Sequence, residues 1–155
     1  MSIYLSQHGK SASKEVDPRR GLTPEGSREV ASVAQALARA GVAVREIWHS
    51  GKARADESAQ IFAASLAPTA GVRSRDGVDP LDDVIAFAES LPKNGDVMVV
   101  GHLPFMERLV SFLVTGEADG RVVRFQNGAV VCMDWDTEGD RWVIDWTVYP
   151  KFQVD

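Results

Sequence analysis

Two of the three histidines in the chain stand beside a glycine at the end of a strand-like segment. His8 precedes Gly9 after a short apolar run near the N-terminus. His102 follows Gly101 after the run "DVMVV", which is typical of a buried strand. Open α/β sheets bind ligands at the carboxyl ends of their strands, so we expect both imidazoles to face one crevice.

Basic side chains are predicted at the same edge of the sheet. Lys52 and Arg54 lie where a loop leads into the second helix, and Arg20 precedes the first helix. A helix N-terminus beside an arginine is a favourable site for an anion. Metal binding would instead need carboxylates or thiolates at helical or hairpin spacing with the two histidines, and none is evident. These residues predict a phosphate pocket, with no metal and no cofactor.

Alternating strand and helix patterns provide the elements that position these residues. The predicted strands are residues 2–6, 46–49, 72–78, 96–100, 129–135 and 142–148. One helix begins at the capping residue Thr23 and ends near Gly41; others are predicted at 54–66, 82–91 and about 104–114. The pattern predicts one α/β domain over residues 1–155, with a mainly parallel sheet flanked by helices on both faces and an antiparallel C-terminal edge.

Composition limits the classes of function. The chain has 155 residues, of which 45% are apolar and 25% charged, and its formal net charge is −5. The negative charge argues against nucleic acid as the main partner. No apolar run approaches the roughly 20 residues that a membrane helix needs, and no secretion signal is evident. Because Cys132 is the single cysteine, no internal disulfide can form, and the expected location is the cytoplasm.

Four stretches, in this order, resemble motifs of the histidine phosphatase superfamily, also called phosphoglycerate-mutase-like. They are "QHGKS" from residue 7, "RRGLTPEG" from 19, "SGKARADESA" from 50 and "VVGHLPFMERLV" from 99. Together with the short chain, they resemble the SixA-like branch, the small bacterial phosphohistidine phosphatases. Each motif is weak alone, but the ordered set extends over essentially the whole chain.

The resemblance implies a metal-independent phosphatase with His8 as its nucleophile. The imidazole would attack phosphorus and form a phosphohistidine enzyme that water then cleaves. By the same resemblance, His102 and Arg54 assist catalysis, and they bind the phosphoryl group together with Gln7 and Arg20. The implied substrate is a phosphorylated protein, such as a phosphohistidine carrier, or a small phosphorylated metabolite.

Gln7 departs from the family pattern, because the family has an arginine at this position. Glutamine keeps a hydrogen-bond donor but loses the charge and the two-pronged guanidinium. A charge-assisted hydrogen bond contributes about 1.5–3 kcal/mol and a neutral one about 0.5–1.5 kcal/mol. We therefore expect transition-state binding to weaken by roughly 1–2 kcal/mol, which is about 5- to 30-fold in rate. The alternative is a catalytically impaired phosphate-binding or protein-interaction module of the same fold.

Three aspartates are candidates for a general acid. Larger members of the family use a carboxylate to protonate the leaving oxygen, and Asp79, Asp82 and Asp83 lie in the corresponding region. Asp82 and Asp83 also fit the first turn of a helix, where acidic residues are favourable. The short chain disfavours a sugar-phosphate mutase, and the lack of further ligands disfavours a metalloenzyme built on His8 and His102. The residues expected to be structural or solvated are His49, Lys10, Lys14 and Arg19.

Overall fold

Strands and helices alternate along residues 1–152, the part of the chain that the computed structural model describes. The strands are β1 Ser2–Gln7, β2 Glu46–His49, β3 Val72–Ser74, β4 Val97–Gly101, β5 Val130–Asp136 and β6 Arg141–Val148. The helices are α1 Pro24–Arg39, α2 Ala53–Leu66, α3 Val84–Ala88 and α4 Phe105–Thr115, and a 3-10 turn at Pro150–Phe152 follows β6. None of the described helices is long and apolar enough to cross a membrane.

The strands form one mixed sheet in the order β3-β2-β4-β1-β5-β6. The first four strands in this order run parallel, β5 pairs antiparallel with β1, and β6 pairs antiparallel with β5. The predicted sheet, mainly parallel with an antiparallel C-terminal edge, is confirmed. Gln7 lies beside Gly101 in the register of β1 and β4, and the His8 amide donates to the Gly101 carbonyl at 3.0 Å. His8 and His102 therefore leave the sheet side by side.

Residues of β1 alternate between two cores, one on each face of the sheet. Ile3 and Leu5 are fully buried on the face covered by α3 and α4. Tyr4 lies in the core on the opposite face, where α1 and α2 contribute Val30 and Phe62. Complete burial of an aliphatic or aromatic side chain contributes about 1.5–3 kcal/mol. The central strand is thus fixed from both sides, and so is the position of its carboxyl end.

The start of α1 fixes the loop that follows β1. Thr23 caps the helix, because its Oγ1 accepts a hydrogen bond from the Gly26 amide at 2.9 Å, and Pro24 occupies the first helical position. A Cβ atom on Gly26 would overlap the Lys10 carbonyl oxygen, which also accepts a hydrogen bond from the Thr23 amide at 2.9 Å. The predicted helix start is confirmed, and the loop at residues 10–20 begins in contact with α1.

Two elements are shorter than the sequence predicts. The strand predicted at 72–78 stops at Ser74, because β3 is the edge of the sheet and pairs only with the short β2. The helix predicted at 82–91 is limited to α3. The Asp83 carboxylate accepts a hydrogen bond from the Ile85 amide at 2.9 Å, which makes Asp83 the cap and places Val84 at the first helical position.

Candidate active site

An open cleft of about 900 Å³ lies at the carboxyl ends of β1 and β4. Gln7 ends β1, and His8 and His102 directly follow β1 and β4. Arg54 reaches the cleft from the first turn of α2, and Arg20 reaches it from the loop before α1. These five residues, which the sequence predicts to bind or transfer phosphate, thus line one cleft, whereas Lys52, which was predicted at the same edge, is not among its lining residues. Its other lining residues are Lys10, Ser11, Thr23, Pro24, Glu25, Arg28, Pro80, Leu103 and Asn127.

The turn after β1 holds His8 in one orientation. The residue is 8% exposed, and its Nδ1 lies 2.7 Å from the Gly9 carbonyl oxygen. Because a carbonyl oxygen only accepts hydrogen bonds, Nδ1 carries the proton and the neutral ring keeps its lone pair on Nε2. No residue in the described part of the chain hydrogen-bonds to that Nε2. The nitrogen with the lone pair remains available to a ligand.

Side chains from two other segments brace the turn at His8 and Gly9. Ser58 of α2 accepts a hydrogen bond from the Gly9 amide at 2.9 Å and donates one to the Arg54 carbonyl at 2.7 Å. Asn127, which precedes β5, donates from Nδ2 to the His8 carbonyl at 3.1 Å. Ser58 therefore joins the backbone beside His8 to the part of α2 that carries Arg54.

Burial keeps His8 uncharged. Removal from water disfavours the imidazolium and lowers the pKa of His8 to about 4; the hydrogen bond to the Gly9 carbonyl opposes this shift, and the charges of Arg54 and Arg20 add to it. At pH 7 the ring is therefore neutral. A neutral imidazole with a free nitrogen lone pair is the state that nucleophilic attack requires.

His102 lies beside His8, with the ring centroids 5.0 Å apart. It is 2% exposed, and its Nε2 is 2.6 Å from Oγ of Ser50. Its Nδ1 is buried and has no hydrogen-bond partner among the described residues. Burial is the largest cause that lowers the pKa of His102 to about 3, followed by the neighbouring His8 and Arg54. His102 is thus a neutral ring with one nitrogen bound and one nitrogen left for a ligand.

Two guanidinium groups of the same charge face the cleft. Arg20 donates from Nε to the Ala12 carbonyl at 3.3 Å, and its φ of +52° is in the left-handed region. Arg54 is half-buried, and burial together with the charge of Arg20 lowers its pKa. Two like charges in a half-buried site are unfavourable unless an anion lies between them. The strained backbone and the charge repulsion both favour an anion-binding role.

Gln7 contributes an uncharged amide to the cleft. Its side chain is mostly buried, and its Oε1 has no hydrogen-bond partner among the described residues. Only the amide N–H groups of a glutamine can bind an anion, because the oxygen carries a partial negative charge. Gln7 therefore offers a neutral donor at a position where a guanidinium would offer a charged pair of donors.

The three candidate aspartates lie outside the lining of the cleft. An Asp82 carboxylate oxygen accepts a hydrogen bond from the Asp79 amide at 2.8 Å, and Asp83 caps α3. The Asp79 carboxylate is 4.0 Å from the Lys52 ammonium group. The prediction that Asp82 and Asp83 lie in the first turn of a helix is therefore wrong in position, because α3 begins at Val84, Asp83 is its cap and Asp82 precedes the cap.

The basic residues of the loop at 10–20 separate into two kinds. Lys14 and Arg19 are exposed and do not line the cleft. Lys10 lines it, but its ammonium group lies 2.8 Å from the Glu25 carboxylate. Lys10 is itself exposed, which is consistent with the prediction of a solvated charge, and the ion pair with Glu25 lies at the mouth of the cleft.

Sequence reasoning missed Ser50, Ser58, Arg28 and Asn127. Ser58 had a signal, because residues four apart on a helix share a face and Arg54 was already a candidate. Asn127 had none, since only the pairing of β5 with β1 brings it to the cleft. Arg28 lies one turn into α1 and lines the cleft. The apolar spacing of this helix identifies its buried face but does not indicate which of its polar residues face the cleft.

One group of side chains in the described part of the chain is close enough to hold a metal ion. The Cys132 thiol and the Asp134 and Asp145 carboxylates offer ligand atoms within 4.8 Å of one another. Asp134 lies beside Ser2, the first residue of β1, so the group is at the opposite end of that strand from His8. Neither histidine of the cleft belongs to it.

The order of the strands, with its antiparallel edge and helices on both faces, defines a phosphoglycerate-mutase-like α/β fold. No protein-family model and no curated protein matches the chain. The protein histidine phosphatase SixA complexed with tungstate is 23% identical, and the match covers 97% of this chain and 98% of that chain with a TM-score of 0.84. A protein of Agrobacterium tumefaciens assigned as phosphohistidine phosphatase SixA is 20% identical, covers 96% and 97%, and has a TM-score of 0.77.

A phosphatase with a different substrate shares the fold. The phosphoserine phosphatase of Entamoeba histolytica, in complex with 3-phosphoglyceric acid, is 15% identical and has a TM-score of 0.72. That match covers 94% of this chain and 95% of the other. These comparisons establish the fold over nearly the full length of each chain.

Proposed function

We propose that the chain is a histidine phosphatase of the SixA-like branch, formed as one domain. It hydrolyses phosphohistidine, or a small phosphate monoester, without a metal. The observation that carries this proposal is the state of His8, a buried neutral imidazole whose Nδ1 is bound to Gly9 and whose Nε2 is available in a cleft with two arginines. The shared fold with phosphohistidine phosphatases supports it.

The reaction would proceed in two displacements at phosphorus. In the first, the Nε2 lone pair of His8 attacks, the Nε2–P bond forms, and the bond from phosphorus to the leaving group breaks. The leaving nitrogen or oxygen takes a proton from solvent. In the second, water attacks phosphorus, the Nε2–P bond breaks, and orthophosphate leaves with a proton released to solvent. The Gly9 carbonyl stabilises the ring throughout, because the phosphorylated imidazole carries more positive charge on its Nδ1–H.

The cationic side chains would stabilise charge on the transferring phosphoryl group. In phosphoryl transfer that charge is spread over three equatorial oxygens, and positioned donors contribute most of the catalysis. Arg20 and Arg54 supply fixed guanidinium groups, His102 supplies a neutral ring nitrogen, and Gln7 supplies an amide. These groups would bind a phosphoryl group that is carried by a protein or by a small metabolite.

The lack of a good proton donor among the carboxylates near the cleft favours a substrate whose leaving group departs easily. The described aspartates at 79, 82 and 83 do not line the cleft. Glu25 does, but the hydrogen bond and charge of Lys10 lower its pKa, so it is a poor proton donor. An imidazole leaves a phosphoramidate with less need for protonation than an alkoxide leaves a monoester. This supports phosphohistidine as the preferred substrate.

Hydrolysis assays test the proposal. A phosphohistidine peptide and p-nitrophenyl phosphate are incubated with wild type, His8→Ala and Gln7→Arg, with a chelator and no added metal. We expect turnover by wild type and Gln7→Arg and none by His8→Ala, with an acid-labile, alkali-stable phosphoenzyme in the two variants that keep His8 and none in His8→Ala. Absence of both turnover and phosphoenzyme from wild type and Gln7→Arg would refute the proposal.

A second candidate follows from Gln7, which leaves the cleft without one charged donor. In this alternative the chain binds phosphate or phosphorylated protein without turnover. Calorimetry with inorganic phosphate would then show an affinity that survives His8→Ala, and no substrate would be cleaved. Retention of a neutral, correctly oriented His8 favours the enzyme instead.

A further inference from the structure

The His102 ring is held by a serine outside the lining of the cleft. Ser50 follows β2 directly, and its Oγ lies 2.6 Å from Nε2 of His102. The same oxygen accepts a hydrogen bond from the Lys52 amide at 3.3 Å. The other ring nitrogen of His102, Nδ1, is buried and has no partner among the described residues. The two nitrogens therefore differ in what they can do for a ligand.

The contacts of Ser50 determine where its single hydroxyl proton lies. Oγ already accepts from Lys52, and Nε2 of His102 is the acceptor within reach in the described part of the chain. A hydroxyl that donates to Nε2 leaves the ring proton of neutral His102 on Nδ1. We infer that Ser50 positions His102 in the Nδ1–H tautomer, so that Nδ1 donates a hydrogen bond to a phosphoryl oxygen in the cleft. The identity of that ligand rests on the proposed function.

The opposite tautomer would leave two groups unsatisfied. With the proton on Nε2, the Ser50 hydroxyl would have no acceptor among the residues that the structure describes, and the Nδ1 lone pair of His102 would face the bound oxyanion. A lone pair repels an oxyanion, whereas an N–H donor stabilises the charge on its oxygens. Burial also keeps the ring neutral, with a pKa of about 3, so His102 has one N–H group instead of the two of an imidazolium. Placement of that one proton therefore decides whether His102 helps or opposes phosphate binding.

Nitrogen NMR of the imidazole rings tests the tautomer directly. The chain has three histidines, so the spectrum of ¹⁵N-histidine-labelled protein is simple, and a His102→Asn spectrum assigns the His102 signals. At pH 7 we expect a protonated Nδ1 and an unprotonated Nε2 in wild type, and a mixture of tautomers in Ser50→Ala. Added inorganic phosphate should shift the wild-type Nδ1–H signal. An Nε2–H tautomer in wild type, or a Ser50→Ala spectrum equal to wild type, overturns the inference.

Kinetics provide the second readout. Ser50→Ala should lower kcat on p-nitrophenyl phosphate by about 3- to 10-fold with little change in KM, because a neutral hydrogen bond is lost in the transition state. Ser50→Thr keeps a hydroxyl and should stay within about twofold of wild type. Ser90→Ala is the matched control, since the Ser90 hydroxyl donates to the Phe87 carbonyl at 2.6 Å outside the cleft.

These outcomes separate the inference from the proposed function. If wild type hydrolyses nothing, the proposed function fails, and the wild-type NMR tautomer alone decides the role of Ser50. If wild type is active and Ser50→Ala has the same kcat, the positioning role fails while the phosphatase stands. Should Ser50→Ala not fold, the wild-type tautomer and the rescue by Ser50→Thr carry the test.

Discussion

The three histidines of the chain occupy similar positions but have different surroundings. His49 ends β2, whereas His8 and His102 follow the neighbouring parallel strands β1 and β4. All three residues are at most 8% exposed, and burial is the first cause that lowers the pKa of each. Position at a strand end and burial are therefore common to all three and do not distinguish a site.

The difference lies in the partners of the ring nitrogens. Nδ1 of His49 accepts a hydrogen bond from the Gly51 amide at 3.0 Å, and its Nε2 lies 3.6 Å from the Asp56 carboxylate. His8 and His102 each keep one nitrogen without a partner among the described residues, and arginines stand beside them instead of a carboxylate. An unbound ring nitrogen next to fixed cations marks the candidate site, and His49 has neither feature. The expectation that His49 is structural is consistent with these contacts.

Replacing the histidines one at a time should give the largest effect. We expect His8→Ala to lower kcat/KM for a phosphohistidine peptide on the order of 10³-fold or more, because no other nucleophile replaces the lost ring. His49→Gln should stay within about threefold in kcat/KM and lower the free energy of unfolding by about 1 kcal/mol through its hydrogen bond to Gly51. Steady-state kinetics and urea unfolding measure the two quantities. Equal losses of activity in both variants would contradict the distinction between the histidines.

Removing a cation beside the histidines should have the next largest effect. Arg54→Ala is expected to lower kcat/KM on p-nitrophenyl phosphate by roughly 10²-fold, because a preorganised charged donor to the phosphoryl oxygens is lost. Arg54→Lys keeps the charge but not the planar pair of donors, and should recover only part of the loss. Arg39→Ala, at the exposed end of α1, is the control and should change the rate by less than about twofold. If Arg39→Ala were as slow as Arg54→Ala, the loss of rate would reflect the net charge of the protein and not a contact of Arg54 with the phosphoryl group.

Placing a positive charge at position 7 should raise kcat/KM, by a factor smaller than the loss expected for Arg54→Ala. We expect Gln7→Arg to raise kcat/KM by about 5- to 30-fold, since a charge-assisted hydrogen bond replaces a neutral one. Gln7→Met, of similar length but without a donor, should lower it by about 3- to 10-fold. The same assay on p-nitrophenyl phosphate compares all three. A higher kcat/KM in Gln7→Met would show that the Gln7 amide hinders the reaction. The rise in Gln7→Arg would then come from loss of the amide and not from the new charge.

The sequence predicted the elements that carry the site but not how they are arranged. The runs that became β1, β2 and β4 were identified within a residue or two, because buried strands and helix caps leave local patterns. Nothing local indicates that β4 lies between β1 and β2, which is the pairing that brings His102 beside His8. The prediction that the two histidines meet came from a general property of parallel sheets.

The residues that brace the site were beyond sequence reasoning for a physical reason. Asn127 and Ser50 act through hydrogen bonds to partners more than 50 residues away, and such contacts exist only after the sheet has formed. Short polar residues in loops are also common, so neither has a distinctive spacing. By contrast, Gln7, His8, Arg20, Arg54 and His102, which were predicted to bind or transfer phosphate, all line the cleft. Each lies at the end of a strand, in the first turn of a helix or in the loop that leads into a helix.

The smallest expected effect is the response of His8 to mild acid. Because its pKa is lowered to about 4, the nucleophile stays neutral from pH 7 to pH 5, and the rate of phosphoenzyme formation should change by less than about twofold. A histidine with an unperturbed pKa would become mostly charged over that range, and the rate would fall by about 25-fold. NMR titration of the three rings, alongside rapid-quench measurement of the phosphoenzyme, compares the two cases. A His8 pKa near 6.5 would mean that the ring is solvated, like an ordinary surface histidine.

The free energy of unfolding should fall as the pH drops below 6.5. Between pH 6.5 and about 4, the unfolded chain binds protons that His8 and His102 do not bind while they are buried and neutral. The free energy of unfolding therefore has its full histidine contribution above pH 6.5 and falls as the pH drops towards the folded-state values. Replacing His102 with asparagine removes one of the three buried rings whose pKa is lowered, so the slope of unfolding free energy against pH should become shallower. An unchanged slope would show that the His102 ring is already charged in the folded protein.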